Sequence, residues 1–276
     1  MFSLAVQPAL VSLFSSTGSD PLSLFASRAD KALPSDSFIC LLNDATSAPA
    51  PALPRALIVA SEPEKNAEQS SPDYTLDQTV LHIQSPTLRT TFIRCPPDRV
   101  SSGSSGRAHT SSHLGLKHPW IHLQVRNMGR EWAFEVGLVD QLGREGIVRC
   151  ATFQKQPRLK LASPPLLLLP LEFPPPSSRP LTSWTTISLN LAARLSSFSS
   201  ATLAQADDDD DDDDDDDEGS TANAHQYRSQ VPSGTYSHVS YVKIYATCRL
   251  RRVWFGESGG QQRLPWEFQL YAADAH

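Results

Sequence analysis

Four groups of residues in this chain have types and spacing that suggest chemistry. The first is Asp207–Asp217, eleven consecutive aspartates extended by Glu218. Such a run could gather divalent cations, but it lacks the central Gly that shapes an EF-hand loop. Its ordinary reading is a solvated loop, because adjacent like charges repel and cannot fold against one another. The second is His113, His118 and His122, five and four residues apart across Pro119. On a strand that spacing does not bring them together, and no neighbouring Cys or carboxylate completes a ligand set. The third is Cys40, Cys95, Cys150 and Cys248, with no Cys-x-x-Cys pair. Two disulfides in three connectivities could be drawn, but in a chain without a secretory leader reduced core thiols are expected. Glu131 and Glu135 flank aromatic positions and read as solvated charges on a strand surface. A phosphate loop and paired carboxylates in a structured segment are both missing. The expectation is a non-enzyme with no metal and no cofactor.

The fourth group is the most informative. Val239 to Phe255 is dense in β-branched and aromatic residues and free of Gly and Pro, so it reads as one long strand or a bent strand pair. Val242, Ile244, Ala246, Cys248 and Leu250 share one side. Lys243, Tyr245, Thr247, Arg249 and Arg251 share the other. Arg252 follows where the strand bends, and Trp254 stands beside the arginines. Lys243, Tyr245, Arg249, Arg251, Arg252 and Trp254 therefore form the candidate partner-binding face. It would suit an acidic polymer such as the tubulin lattice or nucleic acid. Outward Arg and Lys also simply keep a sheet soluble, while Tyr241 and Tyr245 leave glycan or nucleic-acid stacking open.

The elements around this face are short strands. Val80, His82 and Gln84 alternate with Leu81 and Ile83, and Phe92-Ile-Arg-Cys95 follows. Ile121, Leu123 and Val125 share a face, then Asn127-Met-Gly-Arg130 turns into Trp132, Phe134, Val136 and Leu138, which predicts a hairpin. Asp140-Gln-Leu-Gly143 turns again into Ile147-Val-Arg-Cys150. Trp184 to Leu191 is a further strand, and Leu191 to Phe198 adds one or two helical turns. Leu4 to Phe14 is ambiguous between helix and strand. The pattern is all-β, an antiparallel β-sandwich with at most short helical turns.

Composition explains what interrupts it. The chain has 22 Pro against 13 Gly in 276 residues, and its formal charge is −6. Setting aside the twelve acidic residues of 207–218 lowers the thirty acidic side chains to 18, against 24 basic ones. The remainder is thus basic. Residues 1–272 read as one sandwich with disordered insertions at about 29–73, 99–113, 162–180 and 200–236. A strand at Phe38-Ile-Cys-Leu-Leu42 is an option inside the first. No stretch reaches the ~20 apolar residues of a membrane span, and the N-terminus lacks a signal peptide's basic start. A soluble intracellular protein is expected.

Five ordered blocks are similar to the cilia- and flagella-associated protein 20 family. They are Met1-Phe2 with Gly18-Ser-Asp-Pro-Leu22; Phe92-Ile-Arg-Cys-Pro96; Leu114-Gly-Leu-Lys-His-Pro119 with Arg126-Asn127 and Trp132-Ala-Phe-Glu-Val136; Trp184 with Ile187, Leu189, Asn190 and Leu191; and Ala246-Thr-Cys-Arg-Leu-Arg-Arg-Val-Trp-Phe255 with Leu264-Pro265 and Glu267-Phe268-Gln-Leu-Tyr271. Phe25 stands where the family pattern suggests Trp. The resemblance implies a fold similar to carbohydrate-binding modules and a non-catalytic structural role. It implies partners in tubulin and neighbouring axonemal proteins, at the inner junction of ciliary doublet microtubules. The implied location is the cytoskeleton, in axoneme or basal body, with the nucleus as an alternative; no membrane partner is implied.

Overall fold

The alternating segments become strands that stack as two sheets. The computed structural model describes residues 1–2, 5–49, 78–97, 113–173, 183–204, 231–259 and 263–268. In the first sheet the order is β11 (Trp184–Asn190), β6 (Trp120–Asn127), β13 (Cys248–Gly256), β4 (Thr79–Gln84) and β3 (Phe38–Asn43), with β1 (Leu10–Ser15) also paired to β13. In the second it is β2 (Ala26–Arg28), β5 (Phe92–Cys95), β12 (Tyr236–Tyr245), β7 (Ala133–Asp140), β8 (Glu145–Ala151), β10 (Leu166–Pro170) and β9 (Arg158–Lys160). The helical parts are α1 (Leu191–Arg194), a 3-10 turn at Leu195–Ser199 and α2 (Ala201–Ala204). Asn190 caps α1 through its side-chain oxygen, which accepts from the Ala193 amide.

Both sheets turn one face to a shared core. Leu81, Ile83, Ile121, Leu123, Val125, Cys248, Leu250, Val253 and Phe255 enter it from the first sheet. Ile93, Phe134, Val136, Leu138, Val148, Leu167, Val242 and Ile244 enter from the second. Each such side chain contributes about 1.5–3 kcal/mol on burial. Every inward residue read from β6 and from the Trp132–Leu138 alternation is fully buried. Phe25, at the position where Trp was expected, packs edge-on against Phe14 with ring centroids 5.9 Å apart.

The expected hairpin between β6 and β7 does not form. β6 pairs with β11 and β13, whereas β7 pairs with β8 and β12. Asn127–Arg130 is an arch between sheets, its bend aided by Gly129 at φ 70°. Local alternation dictates which side chains face inward but not which strand lies alongside. The β7–β8 hairpin forms as read, with Asp140 Oδ1 accepting from the Leu142 and Arg144 amides. β10 lies inside the Pro-rich stretch read as an insertion, and it pairs parallel to β8, whereas the other strand pairs among the described residues are antiparallel. β3 likewise falls inside the first expected insertion. The Asp207–Glu218 run and most of the remaining insertion residues lie outside the described ones.

Candidate interaction surface

Val239–Phe255 is a bent strand pair that changes sheets. β12 ends at Tyr245 in the second sheet, and β13 begins at Cys248 in the first. The bend is pinned by the Ala246 amide donating to Thr91 O and the Thr247 amide donating to Glu131 O, both at 3.1 Å. Val242, Ile244, Cys248 and Leu250 all enter the shared core. Lys243 and Tyr245 therefore point out of the second sheet, while Arg249, Arg251 and Trp254 point out of the first, on the opposite side of the sandwich. The six candidate residues do not form one face.

Those on the first sheet are covered. Arg249, Arg251 and Trp254 are 7%, 3% and 0% exposed. Arg249 Nη1 donates to Asp44 Oδ1 at 2.7 Å and to Asp44 O at 2.8 Å. The same carboxylate takes Arg126 at 3.2 Å and the Trp184 indole at 2.9 Å. Arg251 donates to the side-chain oxygens of Gln78 and Gln124, each at 3.0 Å. His122 stacks between Trp120 and Trp254, and Phe268 meets Trp254 edge-on. Arg252 lies over the Phe268 ring, 4.5 Å from its centroid. These cations hold the C-terminal turn and the β3 end onto the sheet, so they are not the open docking arginines expected.

The outer face of the second sheet is different. Lys243 lies opposite Arg94 on β5 and Glu135 on β7, and Glu135 lies opposite Arg149 on β8. Directly opposed residues share a face, so a row of Arg94, Lys243, Glu135 and Arg149 crosses the sheet. Phe92 and Tyr245 form the adjacent pair, with exposed Arg28 opposite Phe92 on β2. The cations rest on aromatic rings. Lys243 Nζ is 4.0 Å from the Phe92 centroid and 4.5 Å from that of Tyr245, and the Arg94 guanidinium is 4.5 Å from Tyr241. Gly137 makes room beneath: a Cβ there would come within 2.7 Å of the Tyr241 ring.

Glu135 is the node of this face and is not the solvated charge expected. It is 4% exposed. Arg149 Nε and Nη2 each lie 2.7 Å from its Oε1, which also accepts from the Tyr245 hydroxyl at 2.8 Å. Tyr241 donates to Oε2 at 3.2 Å. Burial, reinforced by the Glu135 charge, pushes both tyrosine hydroxyls well above their ordinary range. Burial opposes the Arg149 charge, yet Glu135 more than offsets it and the guanidinium is held more firmly protonated. Arg94, Glu135 and Arg149 were missed as members of this face. Counting outward from the Asp140–Gly143 turn would have set Glu135 against Arg149; no local signal placed Arg94 beside Lys243.

The other candidates are dispersed. His113 Nδ1 lies 3.0 Å from His238 Nε2, His118 bonds Pro8 O at 2.7 Å, and His122 bonds Ser188 Oγ at 2.8 Å. Among the described residues no group of three or more His, Cys, Asp or Glu is placed to hold a metal ion. Cys95, Cys150 and Cys248 are buried free thiols pushed up to about 12 by burial, and Cys40 is an exposed free thiol. No helix among the described residues is long and apolar enough to cross a membrane.

The architecture is that of a two-sheet β-sandwich with one aromatic-backed cationic outer face. The family model for the CFA20 domain matches residues 37–207, and the chain belongs to that family. It is 22% identical over 200 residues to cilia- and flagella-associated protein 20 of Chlamydomonas reinhardtii, covering 72% of this chain and 77% of that protein. The protein of the same name from Caenorhabditis elegans is 23% identical over 200 residues, covering 72% of each chain. That from Paramecium tetraurelia is 21% identical over 200 residues, covering 72% of this chain and 76% of its own.

Proposed function

We propose that this protein is a non-catalytic structural component of cilia or flagella that binds the tubulin lattice at the inner junction of axonemal doublet microtubules, beside neighbouring axonemal proteins. Membership of the CFA20 family, with relatives named for cilia and flagella in three distinct organisms, carries this reading. The outer face of the second sheet supports it physically. Lys243 and Arg94 are propped on aromatic rings, which presents their charge to an acidic surface with less side-chain entropy left to lose. The same geometry argues against a glycan or a base stack on this face, because the Phe92, Tyr241 and Tyr245 rings already carry a cation.

Each exposed ion pair contributes at most about 1 kcal/mol, so strength would come from repetition along a lattice. Co-sedimentation with stabilised microtubules tests the idea. Binding at low salt should weaken as salt screens the pairs, and R94Q/K243Q, which adds no charge opposite Glu135, should lower affinity about tenfold with only a small fall in melting temperature. Indifference to microtubules at low salt, or full binding by the double variant, overturns the proposal.

A further inference from the structure

We infer that Glu135 is an internal competitor built into this face, and that the face selects an extended chain with closely spaced carboxylates over isolated ones. The inference deepens the docking role proposed above and rests on it for the location of the site. Glu135 is the one carboxylate in the row formed by Ala26, Arg94, Lys243, Glu135 and Arg149. It lies deeper than the cation it holds: the side chains of Glu135 and Arg149 are 5% and 31% exposed. Part of the Arg149 side chain is thus accessible to a partner while its Nε and Nη2 are held by Glu135. Three donors converge on Glu135 Oε1, whereas Oε2 receives Tyr241. This anchors the carboxylate in place, so it meets any incoming anion as a fixed negative charge between Lys243 and Arg149.

The consequence follows from spacing. Neighbouring strands stand about 4.8 Å apart, so the row from β5 to β8 spans about 14 Å. A lone carboxylate arriving at Lys243 or Arg149 gains one cation and meets the repulsion of Glu135. An extended acidic segment rises about 3.3 Å per residue, so four or five residues cover the row. Such a segment can engage Arg94, Lys243 and Arg149 together, with exposed Arg28 at the flank. Its combined attraction exceeds the single internal repulsion, and the closely linked contacts reinforce one another. Glu135 therefore acts as a threshold on the charge density of the partner.

The probe is a polyglutamate peptide, with polyglutamine and a peptide carrying one Glu in seven as controls, titrated against the full chain at low salt. Wild type should bind polyglutamate and neither control. E135Q should bind polyglutamate about fivefold tighter and gain affinity for the sparse peptide, since one like charge has gone. R149Q should bind more weakly, because a cation is lost and Glu135 is released. A purely structural role would move both variants in the same direction, in step with their melting temperatures. Equal binding of sparse and dense peptides by wild type overturns the inference even if E135Q does not fold, as does a folded E135Q with unchanged affinity. Binding of polyglutamate but not microtubules would sink the tubulin reading and leave this inference standing. The reverse pattern would do the opposite.

Discussion

Arg249 and Asp44, 205 positions apart in sequence, meet through a single guanidinium nitrogen that reaches both the carboxylate and the backbone carbonyl of the aspartate. The carboxylate is wholly buried, and it also holds Arg126 and the Trp184 indole. An arginine that alternation placed on a docking face thus ties β3 to the middle of its sheet. R249A should cost about 3 kcal/mol, because the buried Asp44 carboxylate loses its nearer cation and keeps only Arg126. Urea denaturation reads this directly, and a loss under about 1 kcal/mol would contradict the assignment.

Phe134 and Glu135 are neighbours on β7 with opposite faces, both buried. F134A should cost about 3–5 kcal/mol through the cavity it leaves. E135A should cost about 1–3 kcal/mol, since Arg149 and two tyrosine hydroxyls lose their acceptor. Chemical denaturation of the two variants should keep that order. A surface-like value for E135A, below about 0.5 kcal/mol, would mean that the node is not formed.

Three histidines make the fold sensitive to mild acid. Burial, first among the causes, holds His82, His122 and His238 below the ordinary value of 6.5. The unfolded chain therefore binds more protons than the folded one below 6.5. Stability from this source is complete above that value and declines as pH falls toward the folded values. Melting temperature should drop between pH 7 and 5, and H122Q should show a shallower fall. An unchanged slope in H122Q would remove His122 from the account.

Asp207–Glu218 concentrates twelve acidic residues in a chain that is otherwise basic. Deleting the run should leave the melting temperature unchanged or slightly higher, because self-repulsion is relieved. Affinity for an acidic partner should rise. A loss of several degrees would show that the run packs against the sandwich.

Alternation along single strands was legible without a structure, because successive side chains on a strand point to opposite faces whatever lies beside it. Ile121, Leu123, Val125, Phe134, Val136, Val242 and Ile244 were assigned to the core on that basis, and all are buried. The helical turns after Trp184 and the turn at Asp140–Gly143 were legible too, since caps and tight turns are local. What tertiary structure decided is strand partnership, which depends on chain segments far apart in sequence. The bend between Tyr245 and Cys248 carries one alternating pattern into two sheets, so Lys243 and Arg249 share a parity yet point to opposite sides of the molecule. Whether an outward charge meets water also depends on what else covers the sheet. Asp44 and the turn at Phe268 bury Arg249 and Arg251, whereas beside Lys243 the neighbouring strands supply Phe92, Arg94 and Glu135, and the cation remains part of an accessible face.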